Sequence, residues 1–161
     1  MNDPKLQRGR EWLEKLLGLG GLAVQVTASW EIDSCWLTID NSNLTPEQIS
    51  TLIGDRGETI DAIQYLANSI LNIERPPEEQ SAYTIELDGY RARRQDELRS
   101  LASEVTHRVR SSGEQVEMTS LSAAERRQIH TFLKEETDLE TESRGEEPDR
   151  RLVIRLHRSK L

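Results

Sequence analysis

Residues 52–68 read LIGDRGETIDAIQYLAN, and the break in their apolar pattern decides the fold. After Glu58, Ile60, Ile63, Leu66, Ala67 and Ile70 recur at helical spacing, predicting a helix to about Ile73 that Pro76 and Pro77 close. Upstream, Thr45, Pro46 and Gln48 form a capping box with proline at the first helical position. Leu44 and Ile49 stand where a hydrophobic staple would join them. A short helix therefore runs into Gly54, and Gly-Asp-Arg-Gly separates two helices. By spacing alone this is a tight helix-helix turn whose glycines supply unusual backbone angles. A second reading gives the turn a ligand. Free N–H groups at the start of the second helix attract phosphate oxygens, the glycines let a sugar-phosphate backbone approach, and Arg56 adds a charge-assisted contact.

Outward from this turn, residues 4–17 place Leu6, Trp12, Leu13, Leu16 and Leu17 on one helical stripe that Gly18, Gly20 and Gly21 end. Residues 22–30 and 35–40 alternate apolar and polar, and Glu31 to Ser34 make them a hairpin. Val24, Val26, Ala28 and Trp30 fall on one side, Cys35, Leu37 and Ile39 on the matching side; Trp12 and Trp30 are expected in the core, while Trp36 lies on the opposite face. Residues 83–88 form a third strand through Tyr83, Ile85 and Leu87. The order is α-β-β-α-α-β.

Beyond Gly89 a long helix carries Leu98, Leu101, Val105 and Val109. A short extended piece spans Gln115 to Met118, and Ser122 with Glu125 caps a helix to about Glu135. Residues 137–143 and 150–158 read as two last strands, with Leu152, Ile154 and Leu156 inward against Arg151, Val153, Arg155 and His157. This half is α-β-α-β-β. The expected fold class is α+β, in two domains, residues 1–88 and 89–161.

The chain has 161 residues, 35% hydrophobic and 31% charged, with a net charge of −8. An acidic balance argues against a polyanion partner, but the charge is uneven. Residues 1–88 hold six Lys and Arg against fifteen Asp and Glu, a balance of −9; residues 89–161 hold fifteen against fourteen, a balance of +1. No stretch reaches the roughly 18 apolar residues of a membrane span, and the N-terminus lacks an apolar targeting core. A single cysteine, Cys35, excludes an intrachain disulfide and reads as a small buried hydrophobe. With three scattered histidines it has no zinc spacing. Without a nucleophile-base pair, a phosphate-loop lysine motif or a metal cluster, the expectation is a non-enzyme without cofactor or metal.

At this point IGDRGETIDAIQYLANSILN resembles the K-homology (KH) signature of the bacterial Jag, or KhpB, RNA-binding family, and the first six elements follow the type II KH order. The resemblance implies that Ile53, Gly54, Asp55, Arg56 and Gly57 line a clamp for the backbone of about four single-stranded nucleotides beside an apolar groove. Asp55 departs from the pattern, since relatives usually carry a basic residue there. An exposed carboxylate roughly 4 to 6 Å from a phosphate costs about 1 kcal/mol or less, so this site is expected to be weak alone.

A second constellation, ERRQIH over 125–130, places Arg126 and His130 on one helical face, with Lys134 one turn on. In isolation it reads as a solvated face. With TESRGEEPDRRLVIRL after it, the segment resembles the R-three-H domain, a single-stranded nucleic-acid-binding domain that follows KH in the Jag family; Thr141, Ser143, Gly145 and Arg151 match its later pattern. On this reading Arg126 and Arg151 meet phosphates, and His130 bonds a phosphate, stacks beneath a base, or serves the fold. Asp149 stands where relatives often carry an aromatic residue.

The two resemblances together, over residues 4–158, imply a compact, non-catalytic, cytoplasmic binder of single-stranded RNA, with single-stranded DNA open. It is expected to begin at the first KH helix, without the additional N-terminal domain of many members. The family further implies an RNA chaperone or post-transcriptional regulator affecting cell shape or division, beside a small single-KH partner. The competing expectation is a protein-interaction adaptor whose KH groove has lost RNA.

Overall fold

The computed structural model describes residues 3–31 and 34–158. The chain is α+β and divides into two compact units, Met1–Arg91 and Ala92–Leu161. The first contains α1 (Pro4–Leu19), β1 (Val26–Glu31), β2 (Ser34–Ile39), α2 (Pro46–Ile53), a 3-10 turn (Asp55–Gly57), α3 (Glu58–Ile70) and β3 (Tyr83–Leu87). The inferred hairpin turn includes Ile32 and Asp33, which lie outside the described residues.

The sheet runs β1-β2-β3; β1 and β2 are antiparallel, Val26 opposite Ile39, and β2 and β3 are parallel, Cys35 opposite Tyr83. A parallel pair needs a crossover, which α2 and α3 supply. The Thr45 hydroxyl accepts from the Gln48 N–H at 3.1 Å, and the Gln48 carboxamide accepts from the Thr45 N–H at 2.9 Å, so the capping box fixes where α2 begins. Leu13, Leu37, Ile60, Tyr83, Ile85 and Leu87 form the core.

A polar row on α3 and the turn after it closes the free edge of β3. Asn68 donates to the Tyr83 carbonyl at 2.9 Å and accepts from its N–H at 2.8 Å, Gln64 accepts from the Ile85 N–H at 3.0 Å, and Asn72 makes the same paired contact with Ser81. Spaced four apart, these amides act as a surrogate strand that leaves the edge unavailable for pairing.

Two expectations about this core are corrected. Trp30 is 46% exposed, at the end of edge strand β1, with its indole N–H donating to the Asp3 carboxylate at 2.8 Å. Leu66 and Ile70 are exposed, because at about 100° per residue the stripe through Ile60, Ile63, Ala67 and Leu71 leaves both at its rim. Trp12 packs against the core, half-buried.

Cys35 is fully buried, and burial pushes its thiol up to about 11. Because the thiolate is the nucleophile, the native protein at pH 8 is expected to resist iodoacetamide and to label only on unfolding, as mass spectrometry would read. Rapid labelling of the native chain would contradict this burial.

The second unit is built from α4 (Tyr90–Ser112), whose first two residues belong to the first unit, then β4 (Val116–Met118), α5 (Ala123–Leu133), β5 (Leu139–Arg144) and β6 (Arg151–Leu156). Its antiparallel sheet runs β4-β6-β5, with Thr141 opposite Ile154 and Ser143 opposite Leu152. The core stripe of α4 is Leu98, Ala102, Val105 and Val109; Leu101 is exposed. The capping box at Ser122 forms, and Glu125 within it also accepts from Arg94 Nε at 2.7 Å. Val153, expected outward, is fully buried. It shares its face with Arg151 and Arg155, which pair with Glu117 at 2.8 Å and with Glu140 and Glu142 at 3.0 and 2.8 Å. Long paired stems of this kind shield an apolar side chain between them. Among the described residues no helix is long and apolar enough to cross a membrane, and no cluster of His, Cys, Asp and Glu could hold a metal ion.

Candidate nucleic-acid interface

The Gly-x-x-Gly loop lies in the first unit, between α2 and α3. Gly54 (φ 78°) and Gly57 (φ 78°, ψ 14°) have positive φ, and so does Arg56 at φ 55°, ψ 27°. A Cβ on Gly54 would lie 2.4 Å from Thr59 Oγ1, and one on Gly57 would lie 1.9 Å from Tyr90 Oη. The missing side chains thus make room for protein atoms, which is the turn-forming role that spacing alone suggests. The Tyr90 hydroxyl donates to the Arg56 carbonyl at 3.2 Å and holds the turn. Neither the 3-10 turn nor α3 has a side-chain cap; within the turn the Gly57 N–H donates to the Gly54 carbonyl at 3.3 Å and the Glu58 N–H to the Asp55 carbonyl. Asp55 and Arg56 are exposed, Ile53 is half-buried, and among the described residues no carboxylate pairs with Arg56.

In the second unit, α5 and the ends of β5 and β6 enclose a cleft of about 380 Å³ lined by Arg126, Arg127, His130, Thr141, Ser143 and Arg150, with Ala123 and Leu152 as its apolar part. Helical spacing puts Arg126 and His130 on one face, and strand register sets Thr141 and Ser143 two apart opposite them. His130 Nδ1 bonds Thr141 Oγ1, which orients the exposed ring and leaves Nε2 as its second polar edge.

The arginines differ. Arg126 is 5% exposed: Nη1 donates to the Leu121 carbonyl at 2.7 Å and the Arg150 carbonyl at 3.3 Å, while Nη2 bonds the Glu147 carboxylate. The expectation that it reaches out to phosphate meets a guanidinium already engaged on three sides. Arg150 donates through Nε to Ser143 Oγ at 2.8 Å and through Nη1 to the Gly145 carbonyl at 2.6 Å. Arg127 is exposed and, among the described residues, has no carboxylate partner.

Arg151 is not brought to this cleft. It lies on the other face of the sheet, where the hydrogen bond from its guanidinium to Glu117 holds it above the usual arginine range. Sequence reasoning passed over Arg150 and Arg127. Strand alternation held the signal for Arg150, which stands two before the inward Leu152 and so on the cleft side. The arrangement offers cations and hydroxyls beside an apolar surface, a combination suited to a phosphate and the base it carries.

The sequence profile of the R-three-H domain matches residues 96–156, so the second unit carries a domain of that class. Over 148 residues, 92% of its length, the chain is 30% identical to the RNA-binding protein KhpB of Clostridium symbiosum, covering 64% of that protein. It is 31% identical over 114 residues, 70% of its length, to the RNA-binding protein KhpB of Bacillus subtilis strain 168, covering 54% of it. Along most of its own length the chain is similar to these KhpB proteins, and it spans only part of the length of these curated relatives.

Proposed function

We propose that this chain is a non-catalytic binder of single-stranded RNA that grips the strand mainly in the cleft of the second unit. The cleft carries this reading, because it joins an exposed Arg127, an oriented His130, two hydroxyls and Arg150 beside Leu152. The first unit is proposed as a type II KH domain whose Gly54–Gly57 loop is a second, weaker contact, with Arg56 toward phosphate and Asp55 opposing it. Linking two modest sites raises apparent affinity through effective concentration. In the cell such binding suits an RNA chaperone or post-transcriptional regulator in the cytoplasm.

A second reading, a protein-interaction adaptor, is favoured by one observation: Tyr65, Leu66, Ile70 and Ile73 are large exposed hydrophobics in and just after α3. A small single-KH protein is the partner proposed for that surface.

The test is a titration of labelled oligouridine at two salt concentrations. Wild-type affinity is expected to fall with salt, by a logarithmic slope of about 0.7 per phosphate neutralised. Arg127→Ala is expected to weaken binding about three- to tenfold and reduce the slope by about 0.7, and Arg56→Asp to weaken it by less. Salt-independent or absent binding, or two variants that bind like wild type, defeats the reading.

A further inference from the structure

Glu147 stands in the turn between β5 and β6 and has no part in the contacts assigned above to RNA. Its side chain is 58% exposed, whereas the guanidinium it bonds, Arg126 on α5, is almost wholly buried. The turn is tied down twice, by Arg126 to Glu147 and by Arg150 to the Gly145 carbonyl. Arg126 also lines the cleft.

A buried guanidinium requires an anion, because an uncompensated buried charge is strongly unfavourable. Any anion of suitable geometry satisfies that need, and phosphate presents the same paired oxygens as carboxylate. Exchanging one anion for another never leaves Arg126 unpaired. Glu147, already half in water, loses little on release. Nη1 meanwhile stays on the Leu121 and Arg150 carbonyls, so the guanidinium keeps its orientation through the exchange.

We propose that Glu147 is a resident anion that occupies the Arg126 seat in the free protein and yields it to a phosphate of the bound strand. Arg126 is then a latent phosphate contact, and Glu147 an internal competitor that sets affinity and salt dependence. This inference rests on the single-stranded RNA reading of the cleft.

The experiment titrates oligouridine into wild type, Glu147→Gln and Arg127→Ala at several salt concentrations. Glutamine keeps an acceptor for Arg126 but surrenders the seat more readily. Glu147→Gln is expected to bind about tenfold more tightly, one charge-assisted contact's worth, with a salt slope steeper by about 0.7. In wild-type protein labelled at glutamate side chains, the Glu147 carboxyl carbon resonance is expected to move to a solvent-exposed position as RNA saturates, a readout independent of how the variant folds. If Arg127→Ala weakens binding while Glu147→Gln binds no tighter and the Glu147 resonance stays in place, the RNA reading stands and the proposal is overturned. If wild type binds no RNA at any salt concentration, the RNA reading itself fails and takes this inference with it.

Discussion

Arg126→Ala is expected to destabilise the second unit by about 3–5 kcal/mol, the cost of leaving two carbonyls without their charged donor and of emptying a buried site. The substitution abandons the Leu121 and Arg150 carbonyls and the Glu147 carboxylate together, and leaves a cavity under the turn between β5 and β6. For a unit of this size each kcal/mol moves the melting temperature by about 4–8 °C. The thermal transition of the second unit should therefore fall by on the order of 15 °C or more, read by circular dichroism on the full chain. Loss of RNA binding by this variant then says nothing about phosphate contact until folding has been checked at the temperature of the assay. Arg126→Lys separates the roles. Lysine keeps the charge but cannot span two carbonyls and a carboxylate with a planar fork, so it too should melt lower. An Arg126→Ala protein that melts like wild type yet loses RNA would make Arg126 an open contact residue and defeat the buried-strut account.

The helix starts were legible because their chemistry is local. Thr45 with Gln48 and Ser122 with Glu125 each satisfy N–H groups within a few residues, so the pattern and the observed bonds coincide. Faces within an element were legible where one periodicity governs, as for Leu152 and Ile154. Period fails where the covering comes from elsewhere. Val153 is buried on a face otherwise occupied by paired charges. Trp30, on the inward side of β1 by alternation, lies 46% exposed at the sheet edge with its indole N–H on Asp3. The spacing from Gln64 through Asn68 to Asn72 was visible, but its use, closing the edge of β3, depends on which strand α3 covers. The cleft shows the same limit. Arg126 and His130 share a face by spacing, yet the depth of Arg126 is set by a turn far downstream in the chain. Arg150 shares the side of Leu152 by alternation, but only the packing of α5 on that side makes it part of the cleft.

Gly57→Ala is expected to destabilise the first unit by about 2–5 kcal/mol, for two separable reasons. A left-handed backbone costs an alanine roughly 1–2 kcal/mol, and here φ is 78°. The added Cβ would also lie 1.9 Å from Tyr90 Oη and 2.5 Å from Tyr90 Cζ. Tyr90 is buried, so it must shift within the core and give up its bond to the Arg56 carbonyl, and overpacking of that kind costs about 1–3 kcal/mol. A double-mutant cycle separates the terms. In a Tyr90→Leu background, where the ring is gone, Gly57→Ala should cost only the backbone term of roughly 1–2 kcal/mol, measured by urea unfolding of the first unit. An equal cost in both backgrounds would show that the tyrosine does not dictate the glycine. The result also governs how substitutions in this loop are read. Gly54→Asp would place a Cβ against Thr59 at φ 78°, so lost RNA binding in that variant would report a broken turn. Arg56→Asp and Asp55→Asn change charge on exposed side chains and leave both glycines in place. They are the substitutions that test whether phosphate meets this loop.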